Sequence, residues 1–237
     1  MLTIVLLPGM VGTGDLFQPF VDALDARVAV QIIRYPMDPT LGYAALEQQV
    51  REALPCDRPY VLLAESFSGP IAVSIAASRP HGLCGLVLCC TFVRNPRPWL
   101  APFAGLIEYL PLDSPSSTVA NFLLYGNFST HRLRALANRV FAAVPGPVLR
   151  ARLRAVVAVD VLYHLAACAI PVLYLRATRD RLVPPSSAGD LIANAVPGAA
   201  IAHFDGPHGL LQVCPAPTAA AVVAFCKTLN HPDPVAI

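Results

Sequence analysis

Charged residues are scarce in this sequence. They make up 14% of the 237 residues, against about 25% in ordinary soluble proteins. The formal net charge is only +2. This composition excludes a disordered chain and disfavours a polybasic nucleic-acid binder, because both need many more charges. Apolar residues reach 55%, which is enough for one large hydrophobic core in a chain of this length.

Long uninterrupted apolar runs are also missing. The two most apolar stretches, 60–78 and 155–175, contain Glu65 and Asp160 respectively, together with prolines. A membrane-spanning helix needs about 20 consecutive, predominantly apolar residues. The first residues lack the basic region and the small-residue cleavage site of a signal peptide. We therefore expect no transmembrane segment and no secretory leader.

Cysteine is present, but not in the patterns that build disulfide frameworks or zinc sites. The seven cysteines include no CxxC pair, and their number is odd. Cys84, Cys89 and Cys90 fall in an apolar, strand-like pattern, where a free cysteine is a small core residue. The sequence therefore predicts a reducing compartment, and hence a cytoplasmic protein, with no metal and no cofactor.

Short apolar runs alternate with helix-length stretches. Strands are predicted at 3–7, 28–35, 60–64, 85–92, 172–176 and 200–204. Helices are predicted between or after them at 41–54, 71–78, 186–195 and 218–229. Continuously apolar strands separated by helices are typical of a parallel sheet that is covered on both faces. We expect an α/β protein with a mostly parallel sheet of about six strands.

The alternation stops once, between the fourth and fifth strands. Residues 94–169 show no convincing strand, but they contain three helical stretches separated by prolines, at 99–110, 130–144 and 148–165. The chain has no internal repeat and no linker. We therefore expect a single domain, 1–237, in which residues 94–169 form a helical cap inserted after the fourth strand.

The strongest local signal is Ala-Glu-Ser-Phe-Ser-Gly at 64–69, between a predicted strand and a predicted helix. A nucleophile elbow is a strained turn that requires small residues two positions before and after the nucleophile, and Ser66 has both. Gly69 lets the helix approach the sheet closely. Ser68 is the alternative nucleophile, but Pro70 would then stand at the second small position, which favours Ser66.

A serine nucleophile needs a base to take its proton and an acid to orient that base. His208 lies in a turn-rich segment after the last strand, where the sites of open parallel sheets are found. His203, inside the strand, is expected to be structural. Asp180 follows the fifth strand and is the expected acid. Asp160, within an apolar helical stretch, is the alternative.

Acyl transfer also requires backbone N–H groups that stabilise the negative charge on the reacting carbonyl oxygen. Phe67, directly after the nucleophile, can donate one. The glycine-rich loop Leu-Pro-Gly-Met-Val-Gly-Thr-Gly at 7–14 can supply the second from Met10. The glycine spacing matches neither G-x-G-x-x-G nor a P-loop, which argues against nucleotide binding.

These segments together resemble the α/β-hydrolase family. The resemblance rests on Leu-Leu-Pro-Gly-Met at 6–10, the elbow at 64–69, Arg-Asp-Arg-Leu-Val-Pro at 179–184 and Gly-Pro-His-Gly at 206–209. The order of serine, acid and histidine is also that of α/β-hydrolases. Among subfamilies the chain resembles small capped bacterial carboxylesterases, including the pimeloyl-carrier-protein methyl ester esterase group. It departs from the family where Pro8 replaces a common histidine.

The resemblance implies a serine hydrolase that cleaves a carboxylic ester or thioester through an acyl-enzyme on Ser66. In this family the cap sets substrate choice, which implies an apolar, short-to-medium acyl group. The cap residues expected to contact it are Trp99, Phe103, Phe122 and Tyr125, with Leu100, Leu106, Leu123, Leu124 and Phe141 as further candidates. The same residues can instead form the core of the cap. Non-hydrolytic ligand binding and carbon–carbon bond hydrolysis are the alternative functions.

Basic residues are concentrated in the predicted cap. Residues 114–159 contain six arginines and neither Asp nor Glu. A surface of one charge sign steers association with an oppositely charged partner. Arg150, Arg152 and Arg154 are therefore candidates for binding an acidic acyl carrier protein or another anionic group. The alternative is that they form ion pairs with the sheet domain or a solvated face.

Overall fold

Six strands form one sheet in which every neighbouring pair is parallel. The computed structural model describes residues 2–112 and 117–229, with the backbone only at 117 and 185–188. The predicted domain, 1–237, thus includes residues outside these ranges. The strand order is β2-β1-β3-β4-β5-β6, which confirms the predicted α/β class. The strands are β1 (Thr3–Leu7), β2 (Ala29–Ile32), β3 (Tyr60–Glu65), β4 (Leu83–Cys89), β5 (Val172–Ala177) and β6 (Ala200–Phe204).

Helices cover both faces of the sheet. Those outside the β4–β5 connection are α1 (Gln18–Ala23), α2 (Tyr43–Ala53), α3 (Gly69–Ala77), α8 (Pro185–Ala195), α9 (Leu210–Val213) and α10 (Pro215–Thr228). Successive strand residues point to opposite faces. Val5 and Leu7 accordingly join the core beneath α2 and α3, while Ile4 and Leu6 join the core beneath α1 and α10. Burial on both faces explains why the strand sequences are continuously apolar.

The described residues of the connection between β4 and β5 form helices joined by loops, with one isolated β-bridge and no strand of the sheet. The connection comprises a 3-10 helix (Pro98–Tyr109), α4 (Ser117–Tyr125), a short 3-10 turn (Gly126–Phe128), α5 (His131–Ala142), α6 (Gly146–Ala158) and α7 (Leu162–Ala166). The predicted helix at 99–110 is a 3-10 helix that contains Pro102. No helix among the described residues is long and apolar enough to cross a membrane.

Several predicted helix and strand boundaries were wrong, because contacts with residues distant in the sequence determine where these elements end. The predicted helix at 148–165 is two helices, because Asp160 bridges to Arg94 and its carboxylate accepts the Leu162 N–H at the start of α7. β2 ends before the predicted residue 35, since the Tyr35 N–H turns away to donate to the Gly12 carbonyl. The helices at 18–23, 117–125 and 210–213 were not predicted.

The turn from β3 into α3 is the tightest junction near the candidate site. A single 3-10 turn (Ser66–Ser68) separates the two elements. A methyl group on Gly69 would overlap the Thr91 hydroxyl and lie 2.8 Å from Thr91 Cγ2. The Thr91 hydroxyl in turn donates to the Ser66 carbonyl. Glycine at 69 therefore lets helix α3 start close enough to the sheet to hold Ser66 in place.

Gly69→Ala is expected to lower the free energy of unfolding by about 1–3 kcal/mol, because the added methyl group overpacks a buried contact. Denaturant unfolding measures this change. Gly105→Ala is the matched control, since nothing lies within 4 Å of the position that its Cβ would take. Equal and small effects of the two substitutions would show that the close approach at Gly69 is not required.

Candidate active site

Ser66 occupies a strained backbone conformation at the end of β3. Its φ is +50°, in the left-handed region that few residues other than glycine adopt. Such strain costs on the order of 1–3 kcal/mol and persists only where the surroundings enforce it. Here the surroundings are the buried strand β3 on one side and the buried helix α3 on the other. The side chain of Ser66 is half-buried at the carboxyl edge of the sheet.

Three predicted residues form a hydrogen-bonded chain. The Ser66 Oγ lies 2.8 Å from His208 Nε2, and His208 Nδ1 lies 2.8 Å from Asp180 Oδ2. Because an ionised carboxylate only accepts hydrogen bonds, Nδ1 carries the proton and Nε2 is free to accept the one on Ser66. The three residues come from different strand ends, after β3, β5 and β6. Parallel strands bring these ends to one edge of the sheet.

Asp180 is held in place by the start of its own loop. Its Oδ1 accepts the N–H groups of Leu182 and Val183, each at 2.8 Å. Its other oxygen is thereby directed at His208. The side chains of His208 and Asp180 are 5% and 3% exposed, so their interaction is little screened by water.

The environment of His208 favours its charged form. Burial lowers the pKa of His208, but the charge of Asp180 and the hydrogen bond to it raise the pKa by more, and Glu65 adds in the same direction. The net shift is upward from 6.5. His208 is therefore a stronger base than a free histidine, and it is neutral only above its raised pKa.

The alternative residues lie elsewhere. Ser68 is fully buried and 2.5 Å from the Tyr35 hydroxyl, so it has no access to a substrate. Asp160 is exposed and paired with Arg94 at 2.7 Å. His203 is exposed on β6. In the described ranges, no three His, Cys, Asp or Glu residues come together in a way that could hold a metal ion.

The two expected oxyanion donors, Met10 and Phe67, follow two different strands, β1 and β3. A Cβ on Gly9 would be 3.8 Å from the Ser66 Cβ, which puts the loop that carries Met10 against the serine. Within the described residues, the Met10 N–H donates to no backbone carbonyl. The Phe67 ring stacks on Tyr43 at 4.7 Å, and the Tyr43 hydroxyl donates to the Phe67 carbonyl at 3.1 Å.

Glu65 is a buried acid that the sequence reasoning missed. It is 5% exposed, and its Oε1 accepts a hydrogen bond from Gln212 Nε2 at 3.0 Å. Its Oε2 lies 3.7 Å from the position that a Cβ on Gly9 would take. Burial raises the pKa of Glu65 overall, although the nearby Gly9 N–H and Gln212 lower it. The carboxyl group thus joins the elbow to the loop at 8–10 and to α9, which follows His208. The available signal was an acidic residue at the end of an otherwise apolar strand, directly before Ser66.

The predicted substrate-binding residues fall into two groups. Trp99, Phe103 and Phe122 are 64%, 56% and 55% exposed. Tyr125 is completely buried, and its ring packs tightly against Gly209, which favours the alternative that it belongs to the core of the cap.

The other cap candidates are also divided between surface and interior. Leu100 and Leu106 are exposed, whereas Leu123, Leu124 and Phe141 are half-buried. The Leu124 carbonyl accepts the Gly209 N–H at 2.8 Å. The end of α4 therefore contacts the loop that carries His208 directly.

The structure does not show the predicted basic surface at Arg150, Arg152 and Arg154. Arg152 is only 2% exposed. On a helix with 3.6 residues per turn, residue 152 points away from 150 and 154, and it is the side bearing Arg152 that packs inward. Arg154 forms an ion pair with Glu108, and Arg150 donates to the Leu110 carbonyl at 3.1 Å. The three arginines therefore do not share one solvated face.

Two buried tyrosines near the site differ in how their hydroxyl groups are satisfied. The Tyr125 hydroxyl has no hydrogen-bond partner among the described residues, whereas that of Tyr35 bonds to Ser68. An unsatisfied buried hydroxyl is costly. We expect Tyr125→Phe to raise the free energy of unfolding by up to about 1 kcal/mol and Tyr35→Phe to lower it by a similar amount. Urea titration of both variants checks this; losses of equal size would contradict it.

Solved structures provide the comparison with known proteins, since no protein-family model and no curated protein matches the sequence. An enol-lactonase from Burkholderia xenovorans LB400 is 21% identical, with 95% of this chain and 91% of that chain covered and a TM-score of 0.79. The esterase EaEST from Exiguobacterium antarcticum is 14% identical, with 96% and 92% covered and a TM-score of 0.82. A bromoperoxidase from Bacillus anthracis is 17% identical, with 95% and 91% covered and a TM-score of 0.80.

Structural similarity at 14–21% sequence identity shows a shared architecture but does not establish a shared reaction. The three names do not include a carrier-protein methyl esterase, so that narrower resemblance stays a prediction. Each of the three structures covers nearly the whole chain with a TM-score of 0.79 to 0.82, so they share the architecture of the parallel six-stranded sheet and helices described above. The chain therefore has the α/β-hydrolase fold.

Proposed function

We propose that this protein is a serine hydrolase that cleaves a carboxylic ester or thioester through an acyl-enzyme on Ser66. The observation that carries the proposal is the hydrogen-bonded chain from Ser66 through His208 to Asp180, at 2.8 Å in each link, beginning on a strained turn. The names of two structural neighbours, an esterase and an enol-lactonase, support the hydrolytic class.

In the first half of the reaction, the Ser66 oxygen attacks the substrate carbonyl carbon while His208 Nε2 takes the hydroxyl proton. The resulting imidazolium is stabilised by the Asp180 carboxylate. As the tetrahedral intermediate collapses, the bond to the leaving oxygen or sulfur breaks, and His208 returns its proton to that atom. A water molecule then repeats the sequence on the acyl-enzyme, which releases the acid and restores Ser66.

The negative charge on the carbonyl oxygen is stabilised by the backbone N–H groups of Met10 and Phe67 in this proposal. Preorganised donors of this kind are each worth about 3–4 kcal/mol in the transition state. The contacts described above support preorganisation, because Tyr43 stacks on Phe67 and bonds its carbonyl, and the Glu65 carboxyl group packs close to Gly9.

We further propose that residues 94–169 act as a cap over the site. Support comes from the hydrogen bond between Leu124 and Gly209, beside His208. Trp99, Phe103 and Phe122 provide an apolar surface for a short-to-medium acyl group. Binding of an anionic carrier protein at the cap has less support than binding of an apolar acyl group, because Arg152 is buried and Arg154 is paired with Glu108.

A serine-reactive phosphonate is expected to label the wild-type protein at Ser66, as mass spectrometry of peptides can show. Ser66→Ala should lose the label and should lower kcat for aryl esters by at least about 10⁴-fold, because alanine has no hydroxyl group to attack the ester. Ser68→Ala should still be labelled, since Ser68 is buried against Tyr35. Labelling of Ser66→Ala would contradict the proposal. Labelling without turnover on an ester panel would favour non-hydrolytic binding.

The dependence of kcat/KM on pH is expected to report the raised pKa of His208. Protonated His208 cannot accept the Ser66 proton, so activity should fall as pH drops through an apparent pKa above 6.5. In Asp180→Asn, the charge that raises the pKa is gone, and the residual activity should fall at a lower pH. Profiles measured from about pH 4 to 9 test both statements. A wild-type profile that is flat down to about pH 4 would exclude a histidine base.

A further inference from the structure

We infer that Arg152, on helix α6 of the cap, is a positioning residue that holds the oxyanion loop at residues 8–10. This inference rests on the proposed function, because it assigns a catalytic purpose to the Met10 N–H. It links two parts of the chain that are far apart in sequence, the connection between β4 and β5 and the loop after β1.

The guanidinium of Arg152 reaches two loops at the carboxyl edge of the sheet. Its Nη1 donates to the Met10 carbonyl at 2.7 Å, and its Nη2 donates to the Pro36 carbonyl at 2.9 Å. The first loop follows β1 and the second follows the neighbouring strand β2. The loop around Met10 is also shaped to admit this group, since a Cβ on Gly12 would lie 2.6 Å from Nη1.

The charge of Arg152 is buried without a carboxylate partner in the part of the chain that the structure describes. The side chain is 2% exposed, and its hydrogen-bond acceptors are the two backbone carbonyls. The nearest aromatic ring, that of Tyr35, has its centroid 5.8 Å from Arg152 Cζ. Burying an unpaired charge is costly, and an apolar side chain of similar size generally stabilises a core better. Stability alone is therefore a poor explanation for an arginine at this position.

The contact has a specific place in the loop. The Gly9–Met10 peptide carries the N–H that is proposed to bind the oxyanion. The Glu65 carboxyl group contacts one side of this peptide, since its Oε2 lies 3.7 Å from the position that a Cβ on Gly9 would take, and Arg152 binds the carbonyl of Met10, on the other side. The Ser68 hydroxyl also donates to the Pro8 carbonyl. Of these three anchors, only Arg152 comes from the cap, so it couples the position of α6 to the orientation of the Met10 N–H.

The positive charge of Arg152 also has the sign that the reaction needs. The ground-state carbonyl is neutral, whereas the tetrahedral intermediate carries a negative charge on its oxygen. A fixed, desolvated cation beside the oxyanion loop favours the second state over the first. Loss of Arg152 should therefore reduce kcat rather than raise KM, because the interaction is stronger in the transition state.

The experiment compares Arg152→Gln and Arg152→Lys with Arg154→Gln, using a neutral aryl ester. Arg154 is the matched control, because it lies on the same helix but is exposed and paired with Glu108. For Arg152→Gln we expect kcat to fall by about 10- to 100-fold, with KM within about threefold of wild type. Arg152→Lys keeps the charge but lacks the planar fork that reaches two carbonyls. Its kcat should fall less than that of Arg152→Gln, but by at least about threefold.

Three results would overturn the inference. These are a kcat for Arg152→Gln no lower than that for Arg154→Gln, a raised KM with unchanged kcat, and wild-type kcat in Arg152→Lys. The Lys variant keeps the test decisive if Arg152→Gln does not fold. Ser66→Ala measured in parallel separates the two hypotheses. Turnover by Ser66→Ala would refute the proposed function, whereas its loss together with an unaffected Arg152→Gln would refute only the role of Arg152.

Discussion

The tight turn between β3 and α3 is the constraint on which the rest of the site depends. Ser66 keeps a φ of +50° because both flanking elements are fixed, the strand by its pairing with β1 and β4 and the helix by burial on nearly every side. Gly69 permits the close approach, and the Thr91 hydroxyl ties the Ser66 carbonyl to the end of the neighbouring strand. The strain is thus supported by a fully buried strand and an almost fully buried helix.

Four charged or titratable side chains are buried around this turn. His208, Asp180, Glu65 and Arg152 are all shielded from water, and each is satisfied by a specific partner. Water is excluded from these contacts, so each acts at a lower dielectric than on the surface and is correspondingly stronger. The same burial makes each group expensive to leave unpaired. Stability and the geometry of the site therefore depend on the same hydrogen bonds.

The helical connection between β4 and β5 contacts the candidate site at two points. Its α4 end contacts Gly209 beside His208, and its α6 helix contacts Met10 beside Ser66. If this connection acts as the proposed cap, its attachment at both points fixes the surroundings of a substrate carbonyl. Structural neighbours with this fold carry names as different as enol-lactonase and bromoperoxidase. The fold positions the groups, and the local side chains decide the chemistry.

The sequence by itself determined the parallel α/β architecture and brought attention to Ser66, Asp180 and His208. These features follow from local patterns, namely continuous apolar strands, small residues around an elbow, and polar residues just past strand ends. Where helices end and which face they bury depended on distant contacts. The break in the predicted helix at 148–165 required Arg94, more than 60 residues away from Asp160.

The inward direction of Arg152 likewise required the carbonyls of Met10 and Pro36, and the burial of Tyr125 required Gly209. Helical periodicity shows that residue 152 faces away from 150 and 154. Only packing against the sheet decides which of those two faces is inside. Only the tertiary structure shows that the three arginines do not form one basic surface. Arg152 is buried, whereas Arg150 and Arg154 bind neighbouring groups of the cap.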